Sequence, residues 1–281
     1  MINQIKQIHE ENKKQDVREE LLIDCKNCSG LCCVALFFSK MDGFPKDKEA
    51  GEACVNLRPD FTCSIHSELV NRKMKGCLSY DCFGAGQKVT AKIYRGENWS
   101  STIKKEEIFE VFLVVHKLHQ MLWYLVEAKS ILVANELWEI MDELILENQT
   151  MTDQMPEEIL NIEIEQYRIR VNKVLKRVSQ LVRDRYCKKI GKTKKTDLMG
   201  QSFKNENLDG EDFSMTLLIA TNLEGCSLVG TNFLGADMRD TNLKNANVSE
   251  SIFLTQGQIN AAKGDRFTQL PARIQRPVWW N

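Results

Sequence analysis

A five-residue period runs through the last third of the chain. Reading from Leu198 in steps of five gives Leu198, Phe203, Leu208, Phe213, Leu218, Leu223, Leu228, Phe233, Met238, Leu243, Val248 and Phe253, a large apolar residue each time. Two positions before each centre the residue is small from Thr216 onward: Thr216, Thr221, Cys226, Thr231, Ala236, Thr241, Ala246 and Ser251. The position just before the centre is mostly Asp, Asn or Ser, as at Asn222, Asn232, Asp237 and Asn242. A period of five matches neither the 3.6-residue helix nor the two-residue strand. It suits a coil that turns one large side chain inward per side, tucks a small one beside it and bends at polar residues. Cys226 falls in the small slot and reads as a buried filler.

This pattern resembles the pentapeptide-repeat family, over roughly Asp197 to Thr255. The resemblance implies a right-handed quadrilateral β-helix with four pentapeptides per turn, hence about three coils stacked at ~4.8 Å. It specifies a fold far more than a function, because the repeated residues are structural. Gln201, Glu206 and Glu211 replace the small residue, which predicts a looser first coil or outward side chains. Leu217 and Ile252 stand where polar residues are usual and are predicted to face outward. Open coil ends invite aggregation, so the segment 256–281 reads as a C-terminal cap. Within it, Gln256 to Lys263 is a short helix stopped by Gly264, and Trp279–Trp280 pack back.

Some pentapeptide proteins mimic duplex DNA. From Thr196 to Thr255 there are nine acidic residues against Lys204, Arg239 and Lys244, which is the required sign. Three coils rise only about 14 Å, roughly four base pairs, which is too short to fill a topoisomerase groove. The expected partner is a protein on a compact docking platform, with no nucleic-acid binding and no gyrase inhibition.

Chemistry concentrates at the other end. Cys25, Cys28, Cys32, Cys33, Cys54, Cys63, Cys77 and Cys82 fall within 58 residues, and the remainder of the chain adds only Cys187 and Cys226. Thiols this dense either crosslink or bind metal, according to compartment. Met1 to Glu20 is polar and rich in Lys and Glu, without the apolar core of a secretory signal, so a cytoplasmic setting with reduced thiols is expected. That favours metal. Cys25-Lys-Asn-Cys28 has knuckle spacing. Cys32–Cys33, read as extended, would point opposite ways and serve different sites. Eight thiols suffice for two tetrahedral sites or one iron–sulfur cluster with spare ligands. The spacing matches neither ferredoxin run, which tilts the choice to zinc, one or two ions. His66 is a further candidate ligand. His116 and His119 share a helix face with Phe109, Phe112 and Trp123 and read as packing rather than ligands.

The cysteine layout from Asp24 to Cys82 resembles the YkgJ-type zinc- or iron-chelating family. Its CxxCxxCC cluster corresponds to Cys25, Cys28 and Cys32–Cys33, with three residues here between Cys28 and Cys32 where the family has two. The family's later cysteines, one beside an apolar–Leu pair, one followed by Ile and an aromatic or His, and a further one, correspond here to Cys54 (in Cys54-Val-Asn-Leu), Cys63 with Ile65–His66, and Cys77. The resemblance implies chelation. Some members of that broad group look like protein-lysine methylases, which supplies an enzyme alternative, methylase-like or redox.

The connecting sequence reads as helical. Helices are predicted over Lys104–Lys129, buried almost all round, over Asn135–Leu146, and from Pro156 to about Arg185. Phe83-Gly84-Ala85-Gly86 reads as a tight turn before an alternating strand, Gln87 to Tyr94. No uncharged apolar run approaches the ~18 residues that span a bilayer, so no membrane is expected. Arg183 to Lys195 carries seven Lys/Arg against Asp184 and reads as a solvated linker. The resulting plan is a multidomain α+β chain. Residues 1–102 form a cysteine-rich metal domain with an N-terminal helix, 103–186 a helical connector, 187–195 a basic linker, 196–255 the repeat and 256–281 the cap. Its expected role is a metal-binding interaction scaffold.

Overall fold

The computed structural model describes residues 17–186 and 196–280. The basic linker, Cys187 and the residues before Val17 lie outside the described residues; of the expected N-terminal helix, residues 17–20 are described and are helical. Eight helices among the described residues are labelled in chain order: α1 Leu31–Ala35, α2 Lys75–Ser79, α3 Ala85–Gln87, α4 Lys105–Lys129, α5 Trp138–Thr152, α6 Pro156–Leu160, α7 Ile164–Tyr186 and α8 Gln256–Ala261. The chain divides into two compact units.

The first unit comprises residues up to Glu68, Cys82–Ser130 and Leu137–Lys173. Its axis is α4, whose Glu106 and Glu107 suit the positive end of the helix. Ile108, Val111, Phe112, Val115, Leu118, Leu122 and Leu125 are all buried on it, and α1, α3, α5 and α6 pack around it. The helix predicted from Asn135 starts instead at Trp138, because Leu132–Leu137 is a 3-10 turn with a non-helical Ala134. The third predicted helix is two helices. Asn161 closes α6 by donating its side-chain amide to Glu157 O at 2.7 Å, and α7 restarts at Ile164.

The strand predicted over Gln87–Tyr94 is helical. Gly84 takes φ 73° as the N-cap of α3, and Lys88–Ile93 continues as a π-helical turn. Ala85, Lys88 and Val89 supply the buried stripe at helical spacing, while Ala91 is exposed, so the apparent alternation never faced one core. A Cβ on Gly84 would lie 2.0 Å from Glu20 O, so the close approach itself requires glycine.

The second unit comprises Leu69–Asp81, Ile131–Glu136 and the chain from Val174 on. Its repeat returns over itself every twenty residues through parallel bridges, Asp197↔Leu217, Ser202↔Asn222, Asn207↔Ser227 and Asp212↔Asn232, continuing to Asn232↔Ile252. Among the described residues these are isolated bridges, not extended strands, because a corner interrupts every side. Positive φ recurs at every fifth residue from Gly200 through Asn205, Gly210, Met215, Ala220, Gly225, Gly230, Gly235 and Asp240 to Asn245. The acidic or amide residue before each centre accepts from the backbone N–H two residues on, as Asn222 does from Glu224 and Asn232 from Leu234. The small slot has its own partner. Thr221, Thr231 and Thr241 donate their hydroxyls to the carbonyls of Leu198, Leu208 and Leu218, and the Cys226 thiol reaches Phe203 O.

Gln201 and Glu206 face solvent, and Leu217 is 39% exposed. Ile252 is buried, against expectation. The left-handed series stops after Asn245, with no positive φ at Glu250; Phe253 instead takes φ 60°, Leu254 joins the apolar cluster, and the residues around them turn inward. The tail folds onto this end. Gln258 donates to Phe233 O and Ala236 O, and Ile259, Ile274 and Trp280 enter the coil's cluster. The helix α8 ends at Ala261 rather than at Gly264, which instead gives room to the Trp280 ring. The later half of α7 lies on the coil, with Asn232 donating to Ser179 Oγ at 3.0 Å and Tyr186 donating to Glu250 at 3.1 Å.

Candidate functional site

The site is built on α1. Gly30 precedes it with φ 69°, and a Cβ there would come within 2.7 Å of Leu57 Cδ1 and 3.3 Å of Phe61 O. Leu31, Val34 and Ala35 form the buried stripe at i, i+3 and i+4. That leaves Cys32 and Cys33 together on the outer arc, partly exposed, with their sulfurs 3.9 Å apart. The sequence reading placed them back to back in an extended segment. They are helical, and a helix turns neighbours by about 100° rather than 180°, so both reach the same space.

The loop after α1 is tied down around one buried ammonium. Lys48 Nζ donates to Leu36 O, Glu49 O and Glu52 O at 2.7, 2.9 and 2.7 Å and lies 4.6 Å from the centre of the Phe38 ring. Burial draws the Lys48 pKa down, against the pull of Cys54 and Cys33. Cys54 N–H bonds Cys33 O at 3.0 Å and Gly51 N–H bonds Val34 O at 2.8 Å. Trp99 donates to Ser29 O at 2.7 Å and sets its ring edge-on to Phe61.

Around this frame the first unit gathers seven of the eight predicted thiols. Cys33 lies within electrostatic range of Cys25, Cys28 and Cys63, Cys63 within range of Cys54, and Cys32 within range of Cys28 and Cys82. Cys77 sits on α2, in the second unit. His66 occupies an exposed 3-10 turn. Burial pushes the thiols of Cys25, Cys28 and Cys63 up. The Cys32–Cys33 hydrogen bond splits that pair, raising Cys32 and lowering Cys33, with Lys48 also favouring the Cys33 thiolate. Among the described residues no three His, Cys, Asp or Glu side chains converge as a bound ion would require.

The histidines of α4 pack, as the aromatic stripe suggested. His119 Nδ1 is 2.7 Å from Phe83 O, and burial lowers its pKa to about 4, so the ring is neutral near pH 7. His116 lies against the Phe83 and Phe112 rings. Lys48 and Trp99 escaped the sequence reading. A lysine in Pro45-Lys46-Asp47-Lys48-Glu49 carries no local mark of burial, and the Trp99 partner is 70 residues away.

The periodic segment matches the family Pentapeptide repeats, with 8 copies over residues 217–253. Taken whole, the chain belongs to the family of the "Uncharacterized protein YybG" of Bacillus subtilis (strain 168), with 39% identity over 272 residues, 95% of this chain and 97% of that protein. Two solved structures are also similar to part of the chain. A pentapeptide repeat protein (Rfr23) from the cyanobacterium Cyanothece 51142 is 22% identical, covering 28% of this chain and 67% of that one, with a TM-score of 0.21. A pentapeptide repeat protein from the Arabidopsis thaliana thylakoid lumen is 24% identical, covering 28% and 57%, with a TM-score of 0.14. No helix among the described residues is long and apolar enough to cross a membrane.

Proposed function

We propose that the protein is an interaction scaffold, with the repeat as docking element and the cysteine region as a metal-binding module of YkgJ type. The observation that carries the docking role is internal. The repeat already holds a helix, through Ser179 on Asn232 and Tyr186 on Glu250, using side chains that leave its own ladder intact. The twenty-residue return and the left-handed corner at every fifth position support reading it as the right-handed quadrilateral β-helix of the family. Met199, Met215 and Leu217 remain exposed on this otherwise polar coil. Photocrosslinking side chains at these three positions are expected to trap a protein partner in cells, with none trapped from Lys244. Failure to crosslink from any of the three would overturn the docking role.

The metal reading rests on the sulfurs. Two thiolates on one tetrahedral ion with bonds of about 2.3 Å lie roughly 3.8 Å apart, and Cys32 and Cys33 stand at 3.9 Å. They fit half of a zinc site, and completing it requires two more of Cys25, Cys28, Cys54, Cys63 or Cys82 to swing in. Elemental analysis with a visible spectrum tests this on reduced full-length protein. Zinc, or the broad absorption of an iron–sulfur cluster, is expected. Folded protein without metal sinks the module.

A further inference from the structure

Cys32 and Cys33 have a property that four-ligand chemistry does not need. They are joined by a trans peptide, which fixes their Cα atoms about 3.8 Å apart. Disulfides span Cα separations of about 4.4–6.8 Å. Closing a bond between these two sulfurs would therefore mean unwinding α1, and α1 is anchored on both flanks. Leu31, Val34 and Ala35 are buried, Cys33 O accepts from Cys54 N–H, and Val34 O accepts from Gly51 N–H. Neighbouring sulfurs that resist joining each other, yet lie 3.9 Å apart and partly open to solvent, are arranged to share a third atom between them.

We propose that Cys32 and Cys33 form a chelating dithiol for a soft thiophilic centre that takes two thiolates, specifically trivalent arsenic. With phenylarsine oxide the step balances without oxidant or reductant. Two S–H bonds and the arsenic–oxygen bond break, two As–S bonds form, and both protons leave on the oxygen as water, with arsenic trivalent throughout. Thiolates select soft centres of this kind. The rigid frame of α1, Gly30 and the Lys48 loop keeps the two sulfurs side by side before the ligand arrives, so only a small side-chain movement closes them on arsenic, which lowers the cost of binding. The inference rests on this pair's geometry in the reduced, metal-free chain; zinc held by the same two sulfurs would compete with arsenic for them, which is why the metal is removed first.

The test uses reduced, chelator-treated full-length protein with phenylarsine oxide, read by native mass spectrometry. One adduct per chain is expected. In the unaltered chain it should shield Cys32 and Cys33 from iodoacetamide while leaving Cys25 and Cys63 open to alkylation. Cys32→Ser and Cys33→Ser should each abolish the adduct, and Cys63→Ser should keep it. Arsenite should displace the probe from the same two residues. Absence of an adduct, protection mapped to other cysteines, or an adduct surviving in either single variant overturns the proposal. Because the shielding is read on the natural sequence, a variant that fails to fold leaves the test intact. A parallel treatment with hydrogen peroxide reads the geometry directly: no Cys32–Cys33 disulfide should form in the folded protein, and finding one refutes the constraint. An adduct with no zinc uptake would sink the metal module alone.

Discussion

The repeat and the cysteine region both do without long strands, and they are held by opposite means. In the repeat, one set of contacts recurs. An inward apolar centre, a left-handed corner, an Asx bond and a hydroxyl on the carbonyl of the preceding coil return with the period. In the cysteine region each contact is used once: Gly30 beneath Leu57, Lys48 among its carbonyls, Trp99 on Ser29. A repeated solution spreads its energy along the sequence and makes neighbouring coils interdependent. A solution used once concentrates it in single residues whose loss has no substitute nearby.

The largest expected effect lies in the repeat. Phe233→Ala empties a fully buried position beside Phe213, and a loss of about 3–5 kcal/mol is expected in chemical denaturation. A cost under about 1 kcal/mol would show that the coil collapses around cavities and is less interdependent than argued. Next comes Lys48→Met, which fits the cavity but strips its carbonyls of their donor. It should cost about 3 kcal/mol and raise the alkylation rate at Cys54 as the loop loosens. Unchanged rates would mean that the thiol frame does not depend on this lysine.

Within the first unit, acid should also act through His119. Its folded pKa of about 4 lies below the ordinary 6.5, so between these values the unfolded chain takes up a proton that the native one refuses. Stability is then undiminished above pH 6.5 and falls as pH drops toward 4, by at most about 1.4 kcal/mol per pH unit. Melting curves across this window should show the slope, and His119→Gln should remove its share of it.

Smaller effects separate the slots of the repeat. Thr231→Val keeps the shape but removes one of the two donors to Leu208 O, which retains the Glu211 N–H, at a cost of about 1 kcal/mol, while Thr231→Ser should recover most of that by denaturant titration. Ala220→Gly acts in the other direction. Ala220 holds φ 54° at a corner, and relieving a left-handed non-glycine residue should stabilise by up to about 1 kcal/mol. If it destabilises instead, unfolded-state entropy outweighs corner strain at that site.

These contrasts explain what could be read in advance. A period of five excluded both helix and strand before any contact was known, and the residues at each slot carried their reasons with them: size at the centre, a carboxylate or amide for the turn, a hydroxyl for the carbonyl. The apolar bulk of α4 was equally legible, although Glu106, Glu110, Lys117 and Gln120 keep an exposed polar stripe along it, so the helix is not buried all round as expected. The cysteine count and its concentration were plain, but the arrangement was not. Whether Cys32–Cys33 were extended or helical depended on Leu57 and Phe61 packing over Gly30, some 27 to 31 residues on. The alternation at Val89, Ala91 and Ile93 pointed to a strand, and only the burial of Ala85, Lys88 and Val89 against the first unit made it a helix. By itself the sequence determined the elements whose stabilising contacts recur at fixed local spacing. The tertiary structure decided those whose partners lie far along the chain: the neighbourly sulfurs of α1, the buried Lys48 and the end of the repeat at Phe253. Local periodicity encodes a contact many times over, whereas a contact made once between distant residues leaves no periodic trace.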